Sequence, residues 1–207
     1  MSFTKVKIFN LAMSALKLSR EITDTESDRT TTEVKVLNLH WDDAVTSTLQ
    51  EMDLDSLSET IDLELVAELT DNGPWSYAYK YPSRCAFFRR IESGAQLDSR
   101  STHIAKKVGL YEGNKVIFTN EYQARAEIIP SNVSLAALSS PAGFAIAHKL
   151  AYLSCPLLTG KGAKALQEEI RNMMLFFINE AQEMDKRENF NYDDESARSE
   201  FVAARLG

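Results

Sequence analysis

The residues of this chain best suited to chemistry lie together in the stretch WSYAYKYPSRCAFFRRIES, from Trp75 to Ser93. This stretch places Cys85, one of only two cysteines, among arginines and aromatic side chains. A cysteine beside cationic groups can act as a nucleophile, and aromatic rings interleaved with arginines can stack on nucleic-acid bases. Tyrosines at every second position are also typical of an ordinary β-strand. Three interpretations of the stretch are therefore open: it contains a catalytic thiol, it forms a base-stacking surface, or it is a packed strand.

A catalytic role for Cys85 requires a general base within hydrogen-bonding reach. The three histidines, His40, His103 and His148, are spread along the chain, and none lies in a recognisable catalytic signature. A single cysteine in a predicted strand more often packs as a small apolar residue. The chain also has no HxxxH or CxxC pair, so the sequence indicates neither an enzyme nor a metal or cofactor site.

The segment GKGAK, Gly160–Lys164, is the nearest approach to a phosphate-binding loop. A P-loop has the pattern GxxxxGK[ST] after a strand, and this segment does not follow that pattern. It predicts a loop before a helix, with only a generic attraction for anions.

The charge of the chain argues against nucleic-acid binding as its main activity. The formal net charge is −7, whereas a protein that grips nucleic acid needs a concentrated basic surface. The charge is divided: Trp41–Tyr79 holds ten acidic residues and no Lys or Arg, and Lys80–Ile129 holds nine Lys or Arg against five acids. Such a division suits contact between copies of the chain. A nucleic-acid-binding module that uses residues 75–93 stays as the alternative.

The composition is that of a soluble globular protein in a reducing compartment. The chain has 207 residues, of which 44% are hydrophobic and 26% charged, and it suits one domain with an insertion and a tail. No apolar run approaches the ~18–20 residues that span a bilayer. The first twenty residues contain three lysines and do not follow a signal-peptide pattern.

Hydrophobic periodicity predicts an α+β fold: mainly a helical bundle, built from N-terminal and C-terminal helices, with a central antiparallel β insertion and an extended C-terminal arm. The stretch TIDLELVAEL fits both a strand and a helix, and we favour a strand. At Pro82 the strand that contains the tyrosines should end or become an edge strand. The first predicted helix covers Thr4–Leu18, and the second runs from Thr30 to Met52 and begins with a capping box of Thr30 and Glu33. The predicted strands are Trp75–Tyr81, Cys85–Ile91, Ile104–Tyr111, Val116–Thr119 and Tyr122–Ile129. Helical structure follows from Asn132, and a long helix covers Ala163–Glu188.

These elements divide the chain into four parts: N-terminal helices (1–58), a β-rich insertion (59–131), C-terminal helices of the same bundle (132–188) and an arm (189–207). The arm carries scattered apolar residues among acids. It has too little apolar surface to fold alone and too much to be a solvated tail. We expect it to bind a partner.

Four segments, in the same order and covering nearly the whole chain, give a resemblance to a known family. They are VKIFNLAMSALKL, YAYKYPSRCAFFRRIES, NKVIFTNEYQARAEII and AIAHKLAYLSCPLLTGKG. Together they resemble the tail tubular protein A family, the head-to-tail adaptor or connector proteins of short-tailed bacteriophages.

The resemblance implies a structural virion protein that is not an enzyme and binds no cofactor. It implies a dodecameric ring that docks under the portal protein, extends the DNA channel and carries the tail nozzle, a tail tubular protein B-like protein. Genomic DNA would pass through the lumen without specific binding. The protein would reside in the neck of the virion, and in the host cytoplasm during assembly. The resemblance assigns portal binding to the arm, with Phe190, Tyr192, Phe201 and Leu206 as anchors, and we name Arg84, Arg89 and Arg90 as candidates for intersubunit salt bridges.

Overall fold

The computed structural model describes residues 2–25, 31–69, 73–92, 104–160 and 163–188. Within these ranges the N- and C-terminal helices pack together around central antiparallel sheets, and the prediction of an α+β fold is confirmed. No helix described there has the length and apolar character to cross a bilayer. The helices are α1 (Lys5–Ala15), α2 (Thr32–Leu39), α3 (Trp41–Met52), α4 (Ser140–Leu158) and α5 (Lys164–Glu188), with 3₁₀ helices at Asp55–Leu57 and Leu135–Ala137. The strands are β1 (Glu59–Asp62), β2 (Leu65–Glu68), β3 (Tyr77–Lys80), β4 (Cys85–Glu92), β5 (Lys106–Tyr111), β6 (Asn114–Thr119) and β7 (Arg125–Pro130).

The helices share one hydrophobic core, with α4 at its centre. Helix α4 contacts α1, α2, α3 and α5, which explains why its sequence is apolar almost all round. Gly143 in α4 provides the space for Phe3, because a Cβ at this position would lie 2.3 Å from Cζ of the Phe3 ring. The N-terminal segment is therefore fixed to the bundle before α1 begins.

The single helix predicted from Thr30 to Met52 is wrong, because the chain leaves helical geometry at His40, where φ is −98° and ψ is 2°. Thr31 caps α2 by accepting a hydrogen bond from the Val34 amide at 3.4 Å. Thr30, predicted as the cap, lies outside the described residues. After the break, Trp41 packs edge-on against Phe9, with ring centroids 5.6 Å apart. The apolar period continues across the break, so the sequence pattern did not reveal it.

Two antiparallel sheets lie face to face in the β insertion. One has the order β1-β7-β4 and the other β2-β3-β6-β5, and a second hydrophobic core fills the space between them. Ala126 and Ile128 of β7 face this second core, whereas Ile129 joins the core of the helices. Strands β4 and β7 thus contribute side chains to both cores, whereas most of β1 is exposed.

The ambiguous stretch TIDLELVAEL forms strands, as favoured, but two short ones: β1 and β2 belong to different sheets. Strand β3 ends at Lys80, two residues before Pro82, as predicted. The hairpin between β5 and β6 turns at Glu112 and Gly113, which both have positive φ, 48° and 81°. Two such residues are typical of a tight type I′ turn, so this hairpin is a defined structural unit.

Candidate functional site

The clearest concentration of charge lies where the helices meet the β insertion, around Arg89. In β4 the pairing with β7 shifts between Phe88 and Arg90, so Arg89 is the extra residue of a β-bulge. A bulge turns a side chain away from the regular alternation of a strand. Arg89 and Arg90 consequently both approach Glu127 of β7, whose side chain is only 7% exposed.

Arg89 joins three carboxylates that come from separate elements. Its Nε lies 2.9 Å from Oδ1 of Asp53, its Nη1 lies 2.5 Å from Oε1 of Glu127, and its Nη2 pairs with Asp55. Asp53 ends α3 in a left-handed conformation, φ 45° and ψ 57°, which directs the chain back towards β4. We call these four residues, Asp53, Asp55, Arg89 and Glu127, the Arg89 junction.

Helix α5 reaches the same place through Asp185. The backbone N–H groups of Asp55 and Ser56 donate to its two carboxylate oxygens, at 2.7 and 3.0 Å. These amides belong to the start of a 3₁₀ helix and would otherwise lack partners in the helix. The buried Asp185 thus connects the C-terminal end of α5 to the segment that carries two members of the Arg89 junction.

The electrostatics of the Arg89 junction keep the arginine charged. Desolvation lowers the pKa of Arg89, but the hydrogen bond to Asp55 and the charges of Asp53 and Glu127 outweigh it, so the pKa lies above its ordinary value. A groove of about 930 Å³ opens beside the junction and is also lined by Lys106. Burial lowers the pKa of Lys106, and its ammonium donates to the Arg89 carbonyl. The charged side chains mostly neutralise one another within the chain, which is typical of a structural connection.

Cys85 lies on the other side of β4, beside Tyr81. Its Sγ is 3.6 Å from the Tyr81 hydroxyl, and Nζ of Lys115 lies 3.5 Å from the centroid of the Tyr81 ring. Burial raises the pKa of the Cys85 thiol, although the hydrogen bond with Tyr81 and the nearby lysines oppose this effect. Burial also raises the pKa of Tyr81. Neither group is therefore activated as a nucleophile at neutral pH.

The histidines in the described part of the chain serve the helices. Nδ1 of His148 donates to the Phe144 carbonyl at 2.8 Å, and its ring lies 5.1 Å from that of Phe177. Burial lowers the pKa of His148. His40 lies at the break between α2 and α3, and His103 lies outside the described residues. Among the described residues, no group of three or more His, Cys, Asp or Glu side chains has an arrangement that could hold a metal ion.

The tyrosines of β3 are packing residues. Tyr79 is 1% exposed, and its hydroxyl donates to the Glu121 carbonyl at 3.0 Å. Tyr77 packs against Tyr79 and Tyr122, and Tyr81 packs against Phe88. These tyrosine rings, which could otherwise stack on bases, are thus already in contact with other rings or with the core.

The three arginines proposed for intersubunit contacts have different surroundings. Arg89 is 18% exposed and is held by the Arg89 junction. Arg90 is 53% exposed, and its Nε lies 2.5 Å from Oε2 of Glu127. Arg84 is exposed in the turn before β4. A role between subunits stays a prediction for all three, as does portal binding by Phe190, Tyr192, Phe201 and Leu206, which lie outside the described residues.

Large apolar side chains are exposed at several places on the described part of the chain, including one group on a helix and one on an edge strand. One group lies on α5, where Phe176 is 52% and Met173 41% exposed, and the other lies on β5, where Leu110 is 73% and Val108 43% exposed. Sequence reasoning did not single out either group. A possible signal was present in α5, where apolar residues occupy more of the circumference than one buried face requires.

Sequence reasoning also missed the Arg89 junction beyond Arg89 itself. Glu127 stands between apolar residues in the strand sequence RAEIIP, and an acid at an inward position of a strand is an available signal for a buried ion pair. Asp185 gave no such signal, since it lies in a polar part of α5.

Comparison of this chain with models of known protein families gives no match, and comparison with curated proteins gives no significant match.

Proposed function

We propose that the protein is a head-to-tail adaptor of a short-tailed bacteriophage. Many copies form a ring beneath the portal protein, extend its DNA channel and provide the platform for the tail nozzle. The observation that carries the proposal is the architecture: strands over residues 59–130 interrupt a set of helices that share one core. A helical bundle with a β-rich insertion is what the resemblance of the four sequence segments implies.

The charge distribution supports a channel protein. Between residues 41 and 69 all nine acidic side chains are exposed, and a wall of negative charge repels the phosphates of DNA that must slide past it. Part of this charge is neutralised within the chain, for example by the pairs Lys80–Glu64 and Arg125–Asp62. The acids that form no ion pair with another described residue are Asp42, Asp43, Glu59 and Glu68. These four are the candidates for the channel wall.

The exposed apolar groups support assembly. A closed ring uses heterologous contacts, in which one surface of each subunit meets a different surface of the next. Exposed apolar groups on different elements, such as those on α5 and β5, suit such a contact.

The test is to mix the full chain with the portal protein of the same virus and to measure the mass of the complex. We expect a complex with many copies of the chain. Replacing Phe190, Tyr192, Phe201 and Leu206 with serine should abolish it, and replacing the neighbouring Asn189 and Asn191 with serine should not. A mixture that forms no multi-copy complex would refute the proposal.

The alternative, a nucleic-acid-binding module, predicts salt-sensitive DNA binding by the isolated chain. Arg84→Ala and Arg90→Ala are the informative variants, because Arg89 is held by carboxylates of its own chain. The contacts of the β3 tyrosines make this alternative the weaker one.

A further inference from the structure

The outer face of α5 combines exposed apolar side chains with negative charge. Its buried residues, such as Met174 and Ile178, face the helical core, and at 100° per residue Phe176 lies on the opposite side. Met173 and Glu180 lie one turn before and after Phe176 on this outer side. Between Asn172 and Asp185 the helix has no Lys or Arg. The exposed acids there are Glu180 and Glu183, of which Glu183 pairs with Lys186. We call Met173, Phe176 and Glu180 the α5 patch.

The β5–β6 hairpin presents the complementary combination. Val108 and Leu110 lie on one face of β5, since side chains alternate along a strand, and the exposed Lys115 of β6 lies directly opposite Leu110. From Lys106 to Thr119 the hairpin has three lysines against one glutamate. We call Val108, Leu110 and Lys115 the hairpin patch.

Charge distinguishes the hairpin patch from the other exposed apolar edge of the same sheet. Leu65 and Val66 of β2 are 43% and 44% exposed, but they stand between the acids Glu64 and Glu68. Like charges across an interface are unfavourable, so β2 is a poor match for the acidic α5 patch. The hairpin patch has the opposite charge and contains Leu110, the most exposed large hydrophobic side chain among the described residues.

We propose that the hairpin patch of one copy of this chain docks on the α5 patch of a second copy. The apolar parts of the two patches are of similar size: Met173 to Phe176 spans about 4–5 Å along the axis of α5 at 1.5 Å per residue, and Val108 to Leu110 spans about 7 Å along β5. Lys115, which is exposed although its ammonium also lies over the Tyr81 ring of its own chain, and Glu180 supply opposite charges at the two patches. Since each copy keeps a second, unused patch, the contact is heterologous and propagates to a further copy. This inference rests on the proposed function, for which it names the surfaces that join neighbouring subunits.

Cysteine cross-linking tests the contact on the full chain without a portal protein. Leu110→Cys and Phe176→Cys are prepared separately, mixed at increasing concentration and oxidised, and the linked residues are identified by mass spectrometry. A disulfide between positions 110 and 176 is the expected result. A mixture of Leu39→Cys with Phe176→Cys is the matched control, because Leu39 is 68% exposed but belongs to neither patch. Absence of the 110–176 link at every concentration, or a dominant 176–176 link in the Phe176→Cys variant alone, would overturn the inference.

Two further variants measure the strength and direction of the contact. Leu110→Ser and Phe176→Ser each replace an exposed side chain, and each should weaken self-association about tenfold or more in sedimentation experiments. Mixing the two variants leaves one intact pair of patches, so a one-to-one dimer is expected with no larger species. If either variant self-associates as the wild type does, the inference fails.

The outcomes separate this inference from the proposed function. A multi-copy complex with the portal protein that tolerates both serine variants would refute the patches and leave the adaptor function in place. A 110–176 link in a chain that forms no complex with the portal protein would refute the function and confirm the patches.

Discussion

Replacing Arg89 with alanine should weaken the connection between the helices and the β insertion. The substitution leaves the Glu127 carboxylate, 7% exposed, with Arg90 as its remaining cationic neighbour. It also leaves Asp53 and Asp55, at the end of α3 and just after it, without the guanidinium that joins them to β4.

The magnitude follows from the burial of each partner. Removing one member of a buried ion pair costs about 3–5 kcal/mol. The side chains of Asp53 and Asp55 are 42% and 55% exposed, and water therefore screens part of their contribution. We expect the free energy of unfolding to fall by about 2–3 kcal/mol, between the values for exposed and buried pairs. At roughly 2–4 °C per kcal/mol for a chain of this size, the melting temperature should fall by about 4–12 °C.

Urea unfolding followed by circular dichroism measures this change. Arg84→Ala is the matched control, because Arg84 is an exposed arginine in the same stretch, and its effect should stay within about 0.5 kcal/mol. The loss of unfolding free energy for Arg89→Lys should fall between the losses for Arg84→Ala and Arg89→Ala, since lysine keeps the charge but lacks the planar guanidinium that reaches several carboxylates. If the free energy of unfolding of Arg89→Ala lies within about 0.5 kcal/mol of the wild-type value, the Arg89 junction does not stabilise the fold as inferred.

Three other predictions concern single side chains. Burial holds the pKa of His148 below its usual 6.5 in the folded protein, so the folded state favours the neutral ring. The contribution of His148 to stability is therefore present above pH 6.5 and is lost as the pH falls from there through the folded-state pKa. His148→Gln should lose less of its unfolding free energy between pH 7 and pH 5 than the wild type does, and equal losses would contradict the assignment. Cys85, with its raised pKa, should react with iodoacetamide more slowly at pH 7.5 than a cysteine in an unfolded peptide, and a faster reaction would reopen the question of a catalytic thiol. Gly143→Ala should lower the free energy of unfolding by about 1–3 kcal/mol, because the new methyl group overlaps the Phe3 ring. The double variant with Phe3→Leu should recover part of this loss. An unchanged free energy of unfolding for Gly143→Ala would show that the N-terminal segment moves aside freely.

The elements of the fold could largely be predicted from local patterns in the sequence. Alternation identified the tyrosine strand, Pro82 marked its end, and the period of apolar residues identified α5 to within one residue at its start. These signals are local, since they depend on which face of an element is buried. The break at His40 could not be predicted in this way, because the same apolar period continues through it.

The Arg89 junction could not be predicted because it depends on distant parts of the chain. Asp185 lies 130 residues from Asp55, and Arg89 reaches Glu127 only because a bulge changes the register of β4 against β7. No spacing in the sequence encodes either contact. The exposed patches were missed for a related reason: whether an apolar residue is covered depends on the packing of the whole chain.

The central claim, that many copies of this chain join to a portal protein, is tested most directly by the mass of that complex. Native mass spectrometry of the full chain mixed with the portal protein of the same virus should give a complex containing a ring of copies, dodecameric as the resemblance implies. The truncated chain 1–188 should give portal protein alone. A mixture in which the full chain stays unassembled, or in which the full and truncated chains behave alike, would contradict the account.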